Sequence, residues 1–319
     1  MADRAILPKD IRSIAVIGAG FIGPGIAQVF ATCNYSVCMV DIKDEILTAA
    51  VNSIRSNLSL MADNGLGSHQ DIQGIMSRIR TSRDMAEGVA GAQLVIEAVS
   101  EKMELKQSIF QQLDQICPAD TILASNTSVM SITEIASKSS KRDRIVGTHF
   151  WNPPYLIPLV EVTKAKDTSD ETMETTYQVM KMAGKHPVKC MKDVPGFIAN
   201  RLQHALWREA ISIVANGIAD AATVDEAIKN SFAIRLPVLG PIETADMVGL
   251  DLTLSIHDYI FKYLDSSQTP SPLLQQRVKD GDLGFKTGKG FQNWSAEDVK
   301  QSRENLLNYL IEWTKSQKK

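Results

Sequence analysis

Apolar and polar positions along the chain follow two different periods. "SIAVIGAG" (13–20) is a short apolar run ended by glycines. "FIGPGIAQVFATCN" follows it with Ile22, Ile26, Val29 and Phe30 at helical spacing. "SVCMVDI" reads as the next strand and "KDEILTAAVNSIRSNLSLMADNG" as the next helix. Further strands are predicted at "RIRTS", "LVIEAV", "TILAS", "RIVGTHF" and "LIPLVEV". Helices are predicted at "EKMELKQSIFQQLDQI", "MSITEIASKS" and "SDETMETTYQVMKMAG". Strands alternating with helices at this spacing predict an α/β domain with a doubly wound, mostly parallel sheet. After "KCMKDVPGF" the pattern changes. "IANRLQHALWREAISIVANG", "TVDEAIKNSF", "LDLTLSIHDYIFKYLD", "SPLLQQRVKDG" and "AEDVKQSRENLLNYLIEWTKS" all read as helices. The expected organisation is therefore an α/β domain over 1–194 and an all-helical domain over 195–319. Pro195 and Gly196 mark the start of the first helix of the second.

Composition narrows the class. The 319 residues are 44% hydrophobic and 22% charged, with a formal net charge of -3. That is the balance of a globular protein with a substantial core, and it carries no basic surface for nucleic acid or anionic membrane. The one basic cluster, Lys315, Lys318 and Lys319, reads as a solvated helix end. No apolar run reaches the roughly 20 residues that span a bilayer. The start, "MADRAILPKDIRS", lacks the apolar core of a secretory signal. Cys33, Cys38, Cys117 and Cys190 lack metal-site spacing and suit a reducing cytoplasm.

Gly18-Ala19-Gly20-Phe21-Ile22-Gly23 fits G-x-G-x-x-G between a predicted strand and a predicted helix, with Asp41 at the end of the next strand. Gly18 permits a tight turn, Gly20 lets the backbone approach a pyrophosphate, and Gly23 allows close helix–strand packing. Free N–H groups at the helix start favour phosphates. Asp41 would accept bonds from ribose hydroxyls and repel a 2′-phosphate, which favours NAD over NADP; Lys43 acts against that preference. The fold expected is of the Rossmann type. The competing reading is a tight turn that holds no ligand. Pro24 is tolerable in a first helical turn, where its missing N–H has no partner to lose.

"HFWNPPYLIPLVEV" (149–162) places a histidine before a Pro-Pro break and a glutamate inside the apolar run after it. If the chain turns back there, Glu161 returns beside His149. A carboxylate fixes the ring and stabilises the imidazolium formed on proton uptake, as a nicotinamide dehydrogenase requires of its base. An isolated histidine would more simply be structural.

These segments resemble the L-3-hydroxyacyl-CoA dehydrogenase family over nearly the whole chain. The resemblance is carried by the glycine loop, "SNTS" (125–128), "HFWNPP…LVEV", "DVPGFIANRL" (193–202), "GPIETADMVGLD" (240–251) and "GFKTGKGF" (284–291). It implies that His149 is the catalytic base and Glu161 its orienting partner. It places Ser128 and Asn200 around the substrate hydroxyl and carbonyl. It implies cofactor contacts for Glu101, Lys106, Asn126 and Lys286 besides the loop. The residues alone leave alternatives open. Ser128 equally suits an N-cap of "MSITEIAS", and Asn200 a buried amide with backbone partners. Glu101 and Lys106 read as surface residues, and the glycines around Lys286 as a loop fold.

The chain also departs from that family. Members acting on coenzyme A thioesters carry a lysine near the nucleotide phosphates, in the helix before the third strand. Gly74 stands where it is expected, with Arg78 and Arg80 further along. The "FWNPPYLIP" wording, with Trp151 and Tyr155, is similar to relatives oxidising gulonate, carnitine or a hydroxypyridine acid. Three readings follow: an NAD-dependent 3-hydroxyacyl-CoA dehydrogenase, a dehydrogenase of a small free hydroxy acid or alcohol, and a non-catalytic crystallin-like protein. The resemblance further implies a homodimer. The sequence itself shows no metal-ligand cluster, and its charge balance points to no nucleic-acid or membrane partner.

Overall fold

The structure, a computed structural model, describes residues 6–317. The first five residues of the N-terminal stretch lie outside the described residues, as do Lys318 and Lys319 of the basic tail. One compact unit ends at Arg201 and takes up the chain again from Leu307; the second is Leu202–Leu306.

The strands of the first unit are β1 (Ser13–Ile17), β2 (Ser36–Val40), β3 (Ile79–Ser82), β4 (Leu94–Glu97), β5 (Ile122–Ser125), β6 (Ile145–Phe150), β7 (Leu159–Thr163) and β8 (His186–Cys190). Its helices are α1 (Gly23–Thr32), α2 (Asp44–Asp63), α3 (His69–Met76), α4 (Met85–Val89), α5 (Met103–Ile116), α6 (Ile132–Ile135) and α7 (Asp170–Met182). Next comes α8 (Ala199–Ala215), which crosses into the second unit. The sheet order is β3-β2-β1-β4-β5-β6-β7-β8, with only the β6–β7 pair antiparallel. The doubly wound, mostly parallel sheet expected from the alternation is present.

Its central strands are mostly apolar because both faces are covered, with polar residues chiefly at their ends. Ile14, Val16, Met39, Leu94 and Ile96 pack with α1, α2 and α7 on one face. Ala15, Cys38, Val95, Leu123 and Phe110 of α5 form the core on the other. The order reverses at β1 and β4, so their carboxyl ends leave a crevice where ligands of such sheets bind.

The second unit holds α9 (Ala221–Lys229), α10 (Pro241–Val248), α11 (Leu250–Ile260), α12 (Pro272–Lys279) and the first part of α13 (Ala296–Ser316). The end of α13 belongs to the first unit. There Ile311, with Leu307 and Leu310, packs on Leu66, Leu156 and Tyr155. Among the described residues no helix is long and apolar enough to cross a membrane.

Several elements differ from the sequence expectation. The strand predicted at "LIPLVEV" begins only at Leu159, because Pro153–Pro158 form the turn that reverses the chain. β8 was not anticipated. It is an edge strand carrying Pro187, and an edge tolerates the missing N–H. The short α4 and the α10 helix inside "GPIETADMVGLD" were also not read as helices.

Candidate active site

The glycine loop leaves β1 and enters α1 as the pattern requires. Gly18 has φ of +102, and a Cβ there would meet Ala98 O at 2.7 Å. A Cβ on Gly23 would lie 2.0 Å from Gly18 O, so the helix start packs directly on the loop. Gly20 faces open space, as a backbone that lets a phosphate approach must. Pro24 falls in the first turn of α1, where it costs nothing. Asp41 accepts the Ala19 N–H at 3.0 Å through Oδ2 and stands half-buried after β2. Phe21 is exposed beside the loop and Ile22 half-buried. An open Gly20, a free helix start and a carboxylate after β2 together fit a dinucleotide.

Across the crevice, β4 ends in Glu97, which is wholly buried. Lys106 of α5 is only 1% exposed and lies 2.7 Å from Glu97 Oε1 and 3.0 Å from Glu101 Oε2. The surface reading that the residues alone gave Lys106 is thus corrected. An ammonium can be buried where two carboxylates receive it. Glu97 Oε2 also accepts the Ser125 hydroxyl at 2.7 Å. Glu101 Oε1 accepts the Thr127 hydroxyl and the Ser128 N–H, both at 2.6 Å. Burial raises the pKa of the Glu101 carboxyl, but the Thr127 hydroxyl, the Lys106 charge and the Ser128 N–H outweigh it and hold the group below its ordinary value. This cluster, buried at Glu97 and Lys106 and open to solvent at Glu101, grips the turn carrying Ser128. Sequence reasoning missed Glu97, and the one available signal was an acid inside "LVIEAV".

Ser128 is half-buried and does not cap α6. Ser131 does so, accepting the Glu134 N–H at 3.2 Å. The capping alternative for Ser128 is therefore corrected. Asn200, at the second position of α8, is buried and donates from Nδ2 to Ser128 O at 2.9 Å. Asn126 Oδ1 accepts the Phe150 N–H at 2.8 Å, tying the loop after β5 to the end of β6.

His149 and Glu161 are direct partners in the β6–β7 register. His149 Nδ1 lies 2.7 Å from Glu161 Oε2, and both side chains are buried. Glu161 Oε1 accepts the N–H groups of Ile198 and Ala199, each at 2.9 Å, at the start of α8. Gly196 (φ 78) and Phe197 (φ 48) are both left-handed, a costly conformation for phenylalanine, and they aim those N–H groups at one oxygen. Burial raises the Glu161 pKa, but the His149 bond and the two N–H groups outweigh it and hold it below the ordinary 4.5. An ionised Glu161 accepts only, so Nδ1 carries a proton, and in the neutral ring Nε2 holds the lone pair. Nε2 has no hydrogen-bond partner among the described residues. The Trp151 ring lies 5.5 Å from the imidazole and the Phe197 ring 5.9 Å. The arrangement leaves a carboxylate-held imidazole with one nitrogen free to take up a proton.

Lys286 belongs to the second unit, exposed in a loop where Gly284 bridges Lys289. Gly74 lies on α3 with open space around it. Among the described residues no cluster of three or more His, Cys, Asp or Glu is placed to hold a metal.

Residues 13–194 match the family described as 3-hydroxyacyl-CoA dehydrogenase, NAD binding domain, and residues 196–294 match its C-terminal domain. A probable 3-hydroxybutyryl-CoA dehydrogenase of Bacillus subtilis is 38% identical over 286 residues, spanning 89% of this chain and 98% of its own. The crystal structure of the (S)-3-hydroxybutyryl-CoA dehydrogenase from Ralstonia eutropha is similar at a TM-score of 0.76 and 35% identity, covering 89% of this chain and 99% of its own. That of 5-formyl-3-hydroxy-2-methylpyridine 4-carboxylic acid 5-dehydrogenase, an NAD+ dependent dismutase, reaches 0.87 at 30% identity, covering 94% and 96%.

Proposed function

Because the chain belongs to the 3-hydroxyacyl-CoA dehydrogenase family and its first domain is an NAD-binding domain, we propose that it oxidises a secondary hydroxyl to a ketone, with His149 as the base. The observation that carries this reading is the 2.7 Å His149–Glu161 bond, which leaves Nε2 unpartnered. Nε2 takes the hydroxyl proton, and Glu161 stabilises the imidazolium that results. Bound NAD would supply the hydride acceptor for the same carbon. Ser128 and Asn200, joined through the Ser128 carbonyl, orient the substrate oxygen. Gly18 to Gly23 would receive the pyrophosphate and Asp41 the adenosine ribose. Glu101 and Asn126 would contact the cofactor, and Lys106 would act there chiefly by holding Glu101; for Lys286 a cofactor role rests on the family resemblance alone. Residues 1–194 form the NAD-binding domain, and 195–319 form the helical substrate and dimerisation domain of a homodimer. Four free cysteines suit the cytoplasm.

The first substrate class is an L-3-hydroxyacyl-CoA of the 3-hydroxybutyryl kind. A second reading, a small free hydroxy acid of the hydroxypyridine type, is favoured by two observations. One is the higher TM-score, 0.87 against 0.76. The other is Trp151 beside the imidazole, a flat face for a compact ring. A panel of 3-hydroxybutyryl-CoA and free hydroxy acids, each with NAD and NADP, tests both. Turnover of the thioester with NAD at a kcat/KM at least tenfold above any free acid is the expected result. The reverse ranking selects the second reading. Tight NAD binding with no turnover of any hydroxy compound would favour a crystallin-like role and defeat both.

A further inference from the structure

The turn joining β6 to β7 is short of hydrogen-bond donors. Pro153, Pro154 and Pro158 each bring a carbonyl and no N–H. Pro153 O is met by the N–H groups of Leu156 at 3.1 Å and Ile157 at 3.0 Å, and Pro158 O by that of His186 at 2.9 Å. The carbonyls of Pro154 and Ile157 have no backbone partner of that kind, and one side chain takes both. Lys185 donates from Nζ to Pro154 O at 2.6 Å and to Ile157 O at 2.5 Å. Among the described residues no carboxylate lies within ion-pair distance of this ammonium. On the other side the turn rests on α1, where a Cβ on Gly25 would lie 2.7 Å from Pro154 Cδ.

We propose that Lys185 is a positioning residue for the His149–Glu161 pair, its ammonium clamping the Pro154–Ile157 turn so that β6 and β7 keep the register that joins the two side chains. The proposal rests on the catalytic reading of that pair. The geometry gives the clamp its leverage. His149↔Glu161 and Phe150↔Val160 are the last two paired positions before the turn. A loose turn frays those pairs first. Burial lowers the Lys185 pKa to about 8, opposed by the Cys33 sulfur. The chain thus keeps a costly amine where no acid compensates it, and the two carbonyls are what it serves. A cavity of about 750 Å³ opens beside it, lined by Val29, Met61, Tyr155, Leu156 and Trp313. Truncating Lys185 leaves room there for a small amine to enter from solvent.

The test compares the wild type with Lys185→Ala and Lys185→Arg in the full-length protein, with and without n-propylamine. Lys185→Ala is expected to lower kcat tenfold or more while KM for NAD stays within twofold. Lys185→Arg, which keeps charge and donors, should retain a larger share of kcat. n-Propylamine should restore Lys185→Ala several-fold and saturably, whereas tetramethylammonium, a cation without donors, should not. A second readout needs no turnover: the ring N–H proton of His149 in NMR spectra, expected to exchange faster in Lys185→Ala. Unchanged kcat in folded Lys185→Ala, or equal rescue by both cations, overturns the proposal. Should Lys185→Ala not fold, Lys185→Arg decides, and loss of kcat there equal to that of a His149 variant overturns it. If the wild type turns over nothing, the substrate reading fails alone. An unaltered ring proton in Lys185→Ala then overturns the clamp.

Discussion

At the scale of single residues, Glu161 serves two structures at once. One oxygen holds the His149 ring and the other holds the start of α8. Its carboxyl is favoured as the anion, so folding is stabilised at neutral pH. The folded pKa lies below the ordinary value. The contribution is therefore full above the unfolded pKa and disappears as pH falls through the folded one. Glu161→Gln should cost about 1.5–3 kcal/mol at pH 7, the range of a hydrogen bond to a charged group. In urea titrations its deficit against wild type should shrink below pH 4.5. It should also slow turnover, within the ~10²–10⁴-fold that a general base contributes. A deficit that does not change with acidification would show that the charge of Glu161 contributes nothing to folding. This pair was legible in the sequence because the prolines between its members announce a reversal. Glu97 and Lys106 were not, since their link crosses from a strand end to the second turn of a helix. Nothing in a linear pattern marks an ammonium as buried.

Among elements, those with apolar runs and ordinary helical spacing were legible, and those governed by prolines or by neighbours were not. β1, β2 and β4 read clearly because a parallel strand covered on both faces is a continuous apolar run. β8 did not, since "HPVKC" is short and carries a proline that only the sheet edge excuses. α10 did not either. It begins at Gly240-Pro241, and its Ile242 and Met247 are exposed within this chain, so no inward stripe marks it. The junction of β1, loop and α1 gives the sharpest prediction at this scale. Gly23→Ala would put a methyl 2.0 Å from Gly18 O, a backbone atom that cannot step aside. The loop must then open, and the cradle for the pyrophosphate opens with it. The expected outcome is a folded protein with its melting temperature lowered and its Kd for NAD raised tenfold or more, read by calorimetry. Gly20→Ala, which meets no atom within 4 Å, should spare the fold and weaken only NAD. Equal melting temperatures for the two variants would refute the packing role of Gly23.

On the scale of the whole molecule, the second unit does not look finished as a single copy. Over Leu202–Leu306 the sole hydrophobic side chain classed as buried is Val224. Meanwhile α11 exposes Leu250, Leu252, Leu254 (62%), Ile256 and Tyr259, and the stretch before α10 exposes Ile234 and Val238 (80%). Monomers rarely leave apolar patches beyond a few hundred Å² in water. On α11 Leu250 and Leu254 share one face, and Leu252 and Ile256 another, so the helix is apolar around much of its girth. Such a helix is stable when a partner surrounds it. A second copy of the same chain is the economical partner, because a two-fold axis lets one patch complete itself. The chain of 35.0 kDa should therefore sediment at about twice that mass at micromolar concentration. Leu254→Asp places an unpaired carboxylate in the contact and should shift the protein to monomer with a lower melting temperature, since a buried unpaired charge costs several kcal/mol. Sedimentation of wild type as a monomer would remove the dimer. A Leu254→Asp variant still dimeric at the same dilution would move the interface off α11.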